Sequence, residues 1–115
     1  MRNSEVLQGA RDILSDKKNW TTGEMQRTVY DPKFFGLYKK KRYQYCAIGA
    51  PNAVAPTRIG VMNAVDYLHA AARDLYGFYS VVDVNDRLGW TEVLNVYDLA
   101  IRNAKAAEFA ISAES

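Results

Sequence analysis

Residues 34–45 read Phe-Phe-Gly-Leu-Tyr-Lys-Lys-Lys-Arg-Tyr-Gln-Tyr, so that four consecutive cations, Lys39, Lys40, Lys41 and Arg42, are flanked by Tyr38, Tyr43 and Tyr45. Lysine and arginine neutralise phosphates and aromatic rings stack on unpaired bases, so the stretch holds the ingredients of a nucleic-acid interface. Its charge is concentrated. Residues 33–42 carry five basic and no acidic residues, against ten basic and thirteen acidic in the rest of the chain. The same residues suit a solvated ribbon whose lysines keep an exposed edge from pairing, with the aromatics packed underneath. A sequence pI near 8.7 favours the ribbon, because it falls short of the value above about 9 that marks an electrostatic footprint.

A second set is Cys46, His69 and Asp86. A thiol near a helix N-terminus is acidified, and an imidazole with a carboxylate beside it would complete a nucleophilic triad. Spacing alone does not bring the three together, and the local signatures of cysteine nucleophiles are absent. The plainer reading is a buried thiol packed beside Ala47 and Ile48, with His69 at the boundary of its helix.

The third set is Asn85-Asp86-Arg87-Leu88-Gly89-Trp90-Thr91. Asn and Asp form side-chain to backbone turns, Gly89 accepts a positive φ, and Thr91 is placed to cap a following helix. A functional reading has Asn85 and Asp86 presenting polar groups to a ligand or partner from a loop. Trp20, Cys46, Gly49, Trp90 and Thr91 read as structural, the two indoles as core or hinge packing.

Three amphipathic segments must position these groups. Val6, Leu7, Ala10, Ile13 and Leu14 share one helical face over residues 4–16, with Asn3 or Ser4 as cap and Glu5 at the positive end of the dipole. After Pro56 and a Thr57 cap, Val61, Val65, Leu68, Ala72 and Leu75 form a stripe that Gly77 ends. From Thr91, Val93, Leu94, Tyr97, Ala100, Ile101, Ala104 and Ile111 make a broad apolar face, and the alanines permit close packing. The roughly 40 residues between the first two helices are too many for a structureless loop. Residues 26–30 and 42–48, rich in β-branched and aromatic types, read as two short strands or a ribbon. Cys46-Ala47-Ile48-Gly49-Ala50 alternatively opens a short helix that Pro51 stops, and 78–84 reads as a third strand or an extended connection.

Composition bounds the rest. The 115 residues are 49% hydrophobic and 24% charged, which fits one globular domain over 1–115. The N-terminus lacks the apolar run of a secretory signal, and no apolar stretch approaches the roughly 18 residues of a membrane span. A lone cysteine suits a reducing compartment, and with a single histidine it argues against a zinc site. The expectation is a cytoplasmic protein without metal or cofactor.

An N-terminal helix followed by Trp20 and Gly23, then Cys46-Ala47-Ile48-Gly49-Ala50, then Asn85-Asp86 and Thr91-Glu92-Val93-Leu94, resembles a group of small domains of unknown function encoded in bacterial and phage genomes. Two positions depart from that pattern: Pro51 replaces an apolar helical residue, and the Thr-x-x-Glu spacing is one position short. The resemblance implies a fold and a shared site, not a reaction, and for a phage protein a place in the host cytoplasm.

The fold expected is mainly α, a compact domain of three helices, or four, with a small β-ribbon; a small α+β domain is the alternative. The function expected first is a non-catalytic protein-binding module, regulatory or inhibitory, because eight tyrosines supply stiff amphipathic contact area. Nucleic-acid binding through 38–45 is the second reading and a small cysteine-dependent enzyme the third. Self-association stays open.

Overall fold

The computed structural model describes residues 1–32, 39–77 and 80–114. Helix α1 spans Asn3–Ser15 and buries Val6, Leu7, Ala10 and Leu14 on the face the spacing predicts. Its first amides are met by carboxylates rather than by Asn3 or Ser4 acting as cap. The Arg2 amide donates to Glu5 Oε1 at 2.9 Å, and the Ser4 amide and hydroxyl donate to the Glu108 carboxylate at 3.1 and 2.7 Å. A carboxylate makes stronger hydrogen bonds than a hydroxyl and is favoured at the positive end of the helix dipole, so a distant residue displaces the local cap.

After a 3₁₀ turn at Lys17–Asn19, β1 (Gln26–Pro32) and β2 (Lys39–Tyr45) pair antiparallel, with Gln26 opposite Tyr45 and Pro32 opposite Lys39. The ribbon expected over 26–30 and 42–48 is present, but its second strand ends at Tyr45. There the chain turns, with the Gly49 and Ala50 amides returning to the Cys46 carbonyl at 3.1 Å. Helix α2 (Ala50–Val54) follows. Pro51 lies in its first turn, where its missing N–H is not needed and its fixed φ is already helical. The proline thus helps to start this helix, which corrects the expectation that it stops one.

Helix α3 (Arg58–Tyr76) begins and ends as the sequence indicates: Thr57 Oγ1 accepts the Gly60 amide at 3.1 Å, and Gly77 takes φ +69°. Its buried face is turned from the expected stripe. Ala64, Leu68, Ala71 and Ala72 are buried, Val61 and Val65 are half-buried, and Leu75 is exposed. The alanines allow close helix approach, while the bulkier valines face Ile48 and Met25 across a groove.

No strand forms at 80–84; Phe78 and Tyr79 lie outside the described residues. Instead α4 (Val81–Asp83) opens on a reciprocal cap, with Ser80 Oγ accepting the Asp83 amide at 3.2 Å and donating to Asp83 Oδ2 at 3.1 Å. Val81, Val84 and Leu88 turn inward at helical spacing. The chain then widens into a π turn over Val84–Leu88, closed by the Gly89 amide on the Val84 carbonyl at 3.0 Å. Gly89, at φ +121°, redirects it into α5 (Trp90–Glu114). Thr91 is therefore not the cap but an exposed residue of the first helical turn.

Helix α5 packs along α1 and α3, which also touch each other, and α2 rests on α1. The core lies between them, with Tyr97, Leu7, Leu14 and Leu68 among its largest wholly buried side chains. Val96 joins the expected face of α5, whereas Ile111 lies exposed beyond it. The fold is mainly α with one small antiparallel ribbon. No helix among the described residues is long and apolar enough to cross a membrane.

Candidate functional site

The three sets of residues singled out above meet different fates. Asn85, a turn residue on the structural reading and a ligand-facing one on the functional reading, is 1% exposed. The π turn carries it inward, and its amide group uses both ends. Oδ1 accepts the Trp20 indole N–H and the Ala47 amide, each at 2.8 Å, and Nδ2 donates to the Thr21 carbonyl at 3.1 Å and to Asp86 Oδ1 at 2.9 Å. The Ala47 carbonyl in turn accepts the Tyr97 hydroxyl proton at 2.5 Å. The two peptides that flank Ala47 are thus each held by a side chain, and among the described residues no buried side-chain polar atom lacks a partner. Trp90 closes a second seam by donating its indole N–H to the Leu14 carbonyl at 2.7 Å.

Asp86 remains at the surface, but its Oδ1 also accepts the Gly23 amide at 3.1 Å, which fastens the entrance to the ribbon. Gly49 is required by contact. A Cβ there would lie 1.9 Å from the Met25 carbonyl oxygen, the same oxygen that accepts the Cys46 amide at 3.1 Å. Trp20, Gly49 and Asn85 therefore form a structural junction joining the ribbon root, the turn after β2 and the start of α5.

Cys46 is buried in this junction. Burial pushes its thiol above its ordinary value, and the nearby Asp86 carboxylate adds to the rise. Burial likewise pushes the Tyr97 hydroxyl well above its ordinary value. These surroundings favour the neutral thiol, the reverse of an activated nucleophile. His69 stands on α3 in the groove with Met25 and Ile48, and no hydrogen bond among the described residues links it to Cys46 or Asp86. Among those residues no cluster of three His, Cys, Asp or Glu side chains is placed to hold a metal ion.

That groove is about 280 Å³, lined by Met25, Ile48, Val61, Met62, Val65, Asp66 and His69. Met25 and Met62 are 46% and 57% exposed. Sequence reasoning missed this surface, because the valines were assigned to the core stripe of α3. The signal was present in Met62 and His69, which share the flank of that stripe.

The ribbon divides the basic and aromatic residues between two faces. Tyr30 is opposite Lys41 and Thr28 opposite Tyr43, so Tyr30, Lys41 and Tyr43 share a face, with Tyr45 at its root. Tyr45 packs against the core, whereas Tyr30 and Tyr43 are exposed, with the Lys41 ammonium 5.2 Å from the Tyr43 ring centre. On the other face Arg42 pairs with Asp31 Oδ2 at 2.6 Å, and Arg42 and Gln44 both donate to the Lys18 carbonyl. Lys39 and Lys40 belong to β2 opposite Pro32 and Asp31; Tyr38 lies outside the described residues. Comparison with protein-family models, curated proteins and solved structures gives no match.

Proposed function

We propose that the protein is a non-catalytic protein-binding module and that the groove between α3 and the ribbon root receives the partner. The observation that carries this reading is the pair of exposed methionines over an otherwise apolar floor of Ile48, Val61 and Val65. Methionine is flexible and polarisable, and recurs at surfaces that accommodate apolar side chains of a partner. At about 280 Å³ the groove lies at the lower edge of the roughly 300–1,000 Å³ range of small-molecule sites, a size that suits one or two anchoring side chains. Asp66 and His69 at its rim supply the polar border such interfaces use. On this reading the chain is an accessory protein of bacterial or phage type that acts in the cytoplasm, and the buried Cys46 has a packing role.

Nuclease-treated lysate passed over the immobilised protein tests the reading, with Met62→Asp as control. A partner retained by the wild type and lost from a Met62→Asp protein with unchanged helical circular dichroism supports it. Equal retention by both proteins, or no retention, refutes it. Self-association that Met62→Asp abolishes would instead give the groove to a second copy and displace the heterologous partner.

A further inference from the structure

The exposed face of the ribbon carries an inference independent of the groove. Over residues 26–45 the chain has six basic residues and one acidic, against nine basic and twelve acidic elsewhere. The ribbon is thus a cationic arm on an acidic body. Its single carboxylate, Asp31, is engaged by Arg42 on the opposite face. The face with Tyr30, Lys41 and Tyr43 therefore has no acidic residue of the ribbon.

If those tyrosines existed to anchor the ribbon, they would pack as Tyr45 does. Tyr30 is 58% exposed and Tyr43 38%. The register places them diagonally across the ribbon, about 7–8 Å apart, with a cation between them. A row of aromatic, cation and aromatic on an open sheet surface provides π faces for bases and an ammonium for the connecting phosphate. Stacking of this kind needs bases released from a duplex.

We propose that the Tyr30, Lys41 and Tyr43 face of the ribbon binds single-stranded nucleic acid, with the two rings stacking on unpaired bases and the arm's cations engaging the phosphates. Charge complementarity selects a polyanion, and the exposed rings select one with accessible bases. The recognition is insensitive to sequence, because nothing on this face is arranged to read base edges.

Fluorescence anisotropy of the full chain with a labelled 16-nucleotide mixed-sequence single-stranded DNA, at 50 and 200 mM NaCl, tests the proposal. Engagement of four or five cations gives a log affinity against log salt slope of about −3 to −3.5, hence a loss of about 50- to 130-fold over that interval. Tyr43→Ala weakens binding about tenfold or more at fixed salt, and Tyr43→Phe restores it. Lys41→Gln makes the salt slope shallower by about 0.7. The helical circular dichroism of each variant monitors folding. Absence of binding at 50 mM salt overturns the proposal, as does binding within twofold of wild type for Tyr30→Ala combined with Tyr43→Ala. Equal or tighter binding of the matching duplex overturns it too, since stacked bases cannot use the rings. Co-sedimentation with vesicles containing phosphatidylserine, without binding to the oligonucleotide, would assign the face to a membrane surface and likewise overturn it.

Discussion

The junction around Asn85 and the arm beyond it are made of the same residue types, tyrosine, asparagine or glutamine, and charged side chains, put to opposite uses. At the junction each polar group is spent internally: Asn85 satisfies four partners, and the Tyr97 hydroxyl and the Trp20 indole each reach one buried acceptor. On the arm, Tyr30 and Tyr43 are exposed, and the ribbon meets the body at its root, through Tyr45 against the core and through Arg42 and Gln44 on the Lys18 carbonyl. Burial makes the first region intolerant, since an orphaned buried polar group is penalised by its full desolvation. Exposure leaves the second free to change and available for contact. Stability and binding should therefore separate cleanly between the two regions.

Asn85→Ala gives the largest effect. It strips the acceptor from the Trp20 indole and the Ala47 amide, and the donor from the Thr21 carbonyl, in a place only 1% exposed. At about 1–3 kcal/mol for each orphaned group, partly relieved by entering water, the loss should be about 3–5 kcal/mol, enough to unfold much of a marginal domain. Urea unfolding measures it. A loss below about 1 kcal/mol would show that the junction is replaceable and that Asn85 is free to serve a partner.

Much of the helical fold was legible in the sequence because its determinants are local. The spacing of Val6, Leu7, Ala10 and Leu14, the Thr57 cap and the Gly77 stop each depend on neighbours within one or two turns. The inward role of Asn85 is not legible for the opposite reason: three of its four partners come from chain segments 38 to 65 residues away. A polar residue beside Asp86 looks like a turn until those partners are known. The Ser80 and Asp83 spacing did carry a local signal for α4, obscured by the β-branched run Val81, Val82 and Val84. The buried face of α3 departs from the stripe of Val61, Val65, Leu68, Ala72 and Leu75 because close packing favours its alanines, Ala64 and Ala71 with Ala72.

The buried thiol and hydroxyl of the junction also predict a pH dependence of stability. Burial raises Cys46 above 9.0 and Tyr97 well above 10.0, so in both cases the folded state holds its proton more tightly than the unfolded chain. Their contribution is complete below about pH 9 and is lost as pH climbs through the raised folded values. Unfolding midpoints should be level from pH 6 to 8 and decline from 9 upward. Tyr97→Phe should cost about 1–2 kcal/mol at neutral pH, through the orphaned Ala47 carbonyl, and should flatten the part of the decline above pH 10. An unaltered decline in Tyr97→Phe would place the titrating group elsewhere.

The smallest effect is expected where the sequence looked most distinctive. Replacing Tyr30 and Tyr43 together by Ala removes two rings that lie outside the core, both partly exposed. It leaves intact the Asp31 to Arg42 ion pair and the hydrogen bonds from Arg42 and Gln44 to Lys18. Surface substitutions of this kind stay within about 0.5 kcal/mol, so the thermal midpoint should move by only a few degrees at most. Amide exchange in α1, α3 and α5 should be unchanged, because slow exchange there is governed by the core beneath Tyr97 and Leu68. A destabilisation above about 1 kcal/mol, or faster exchange in α5, would mean that the rings support the body after all. The contrast between a sealed junction and an open arm would then fail at the arm, and its tyrosines would be structural residues rather than a surface kept free for a ligand.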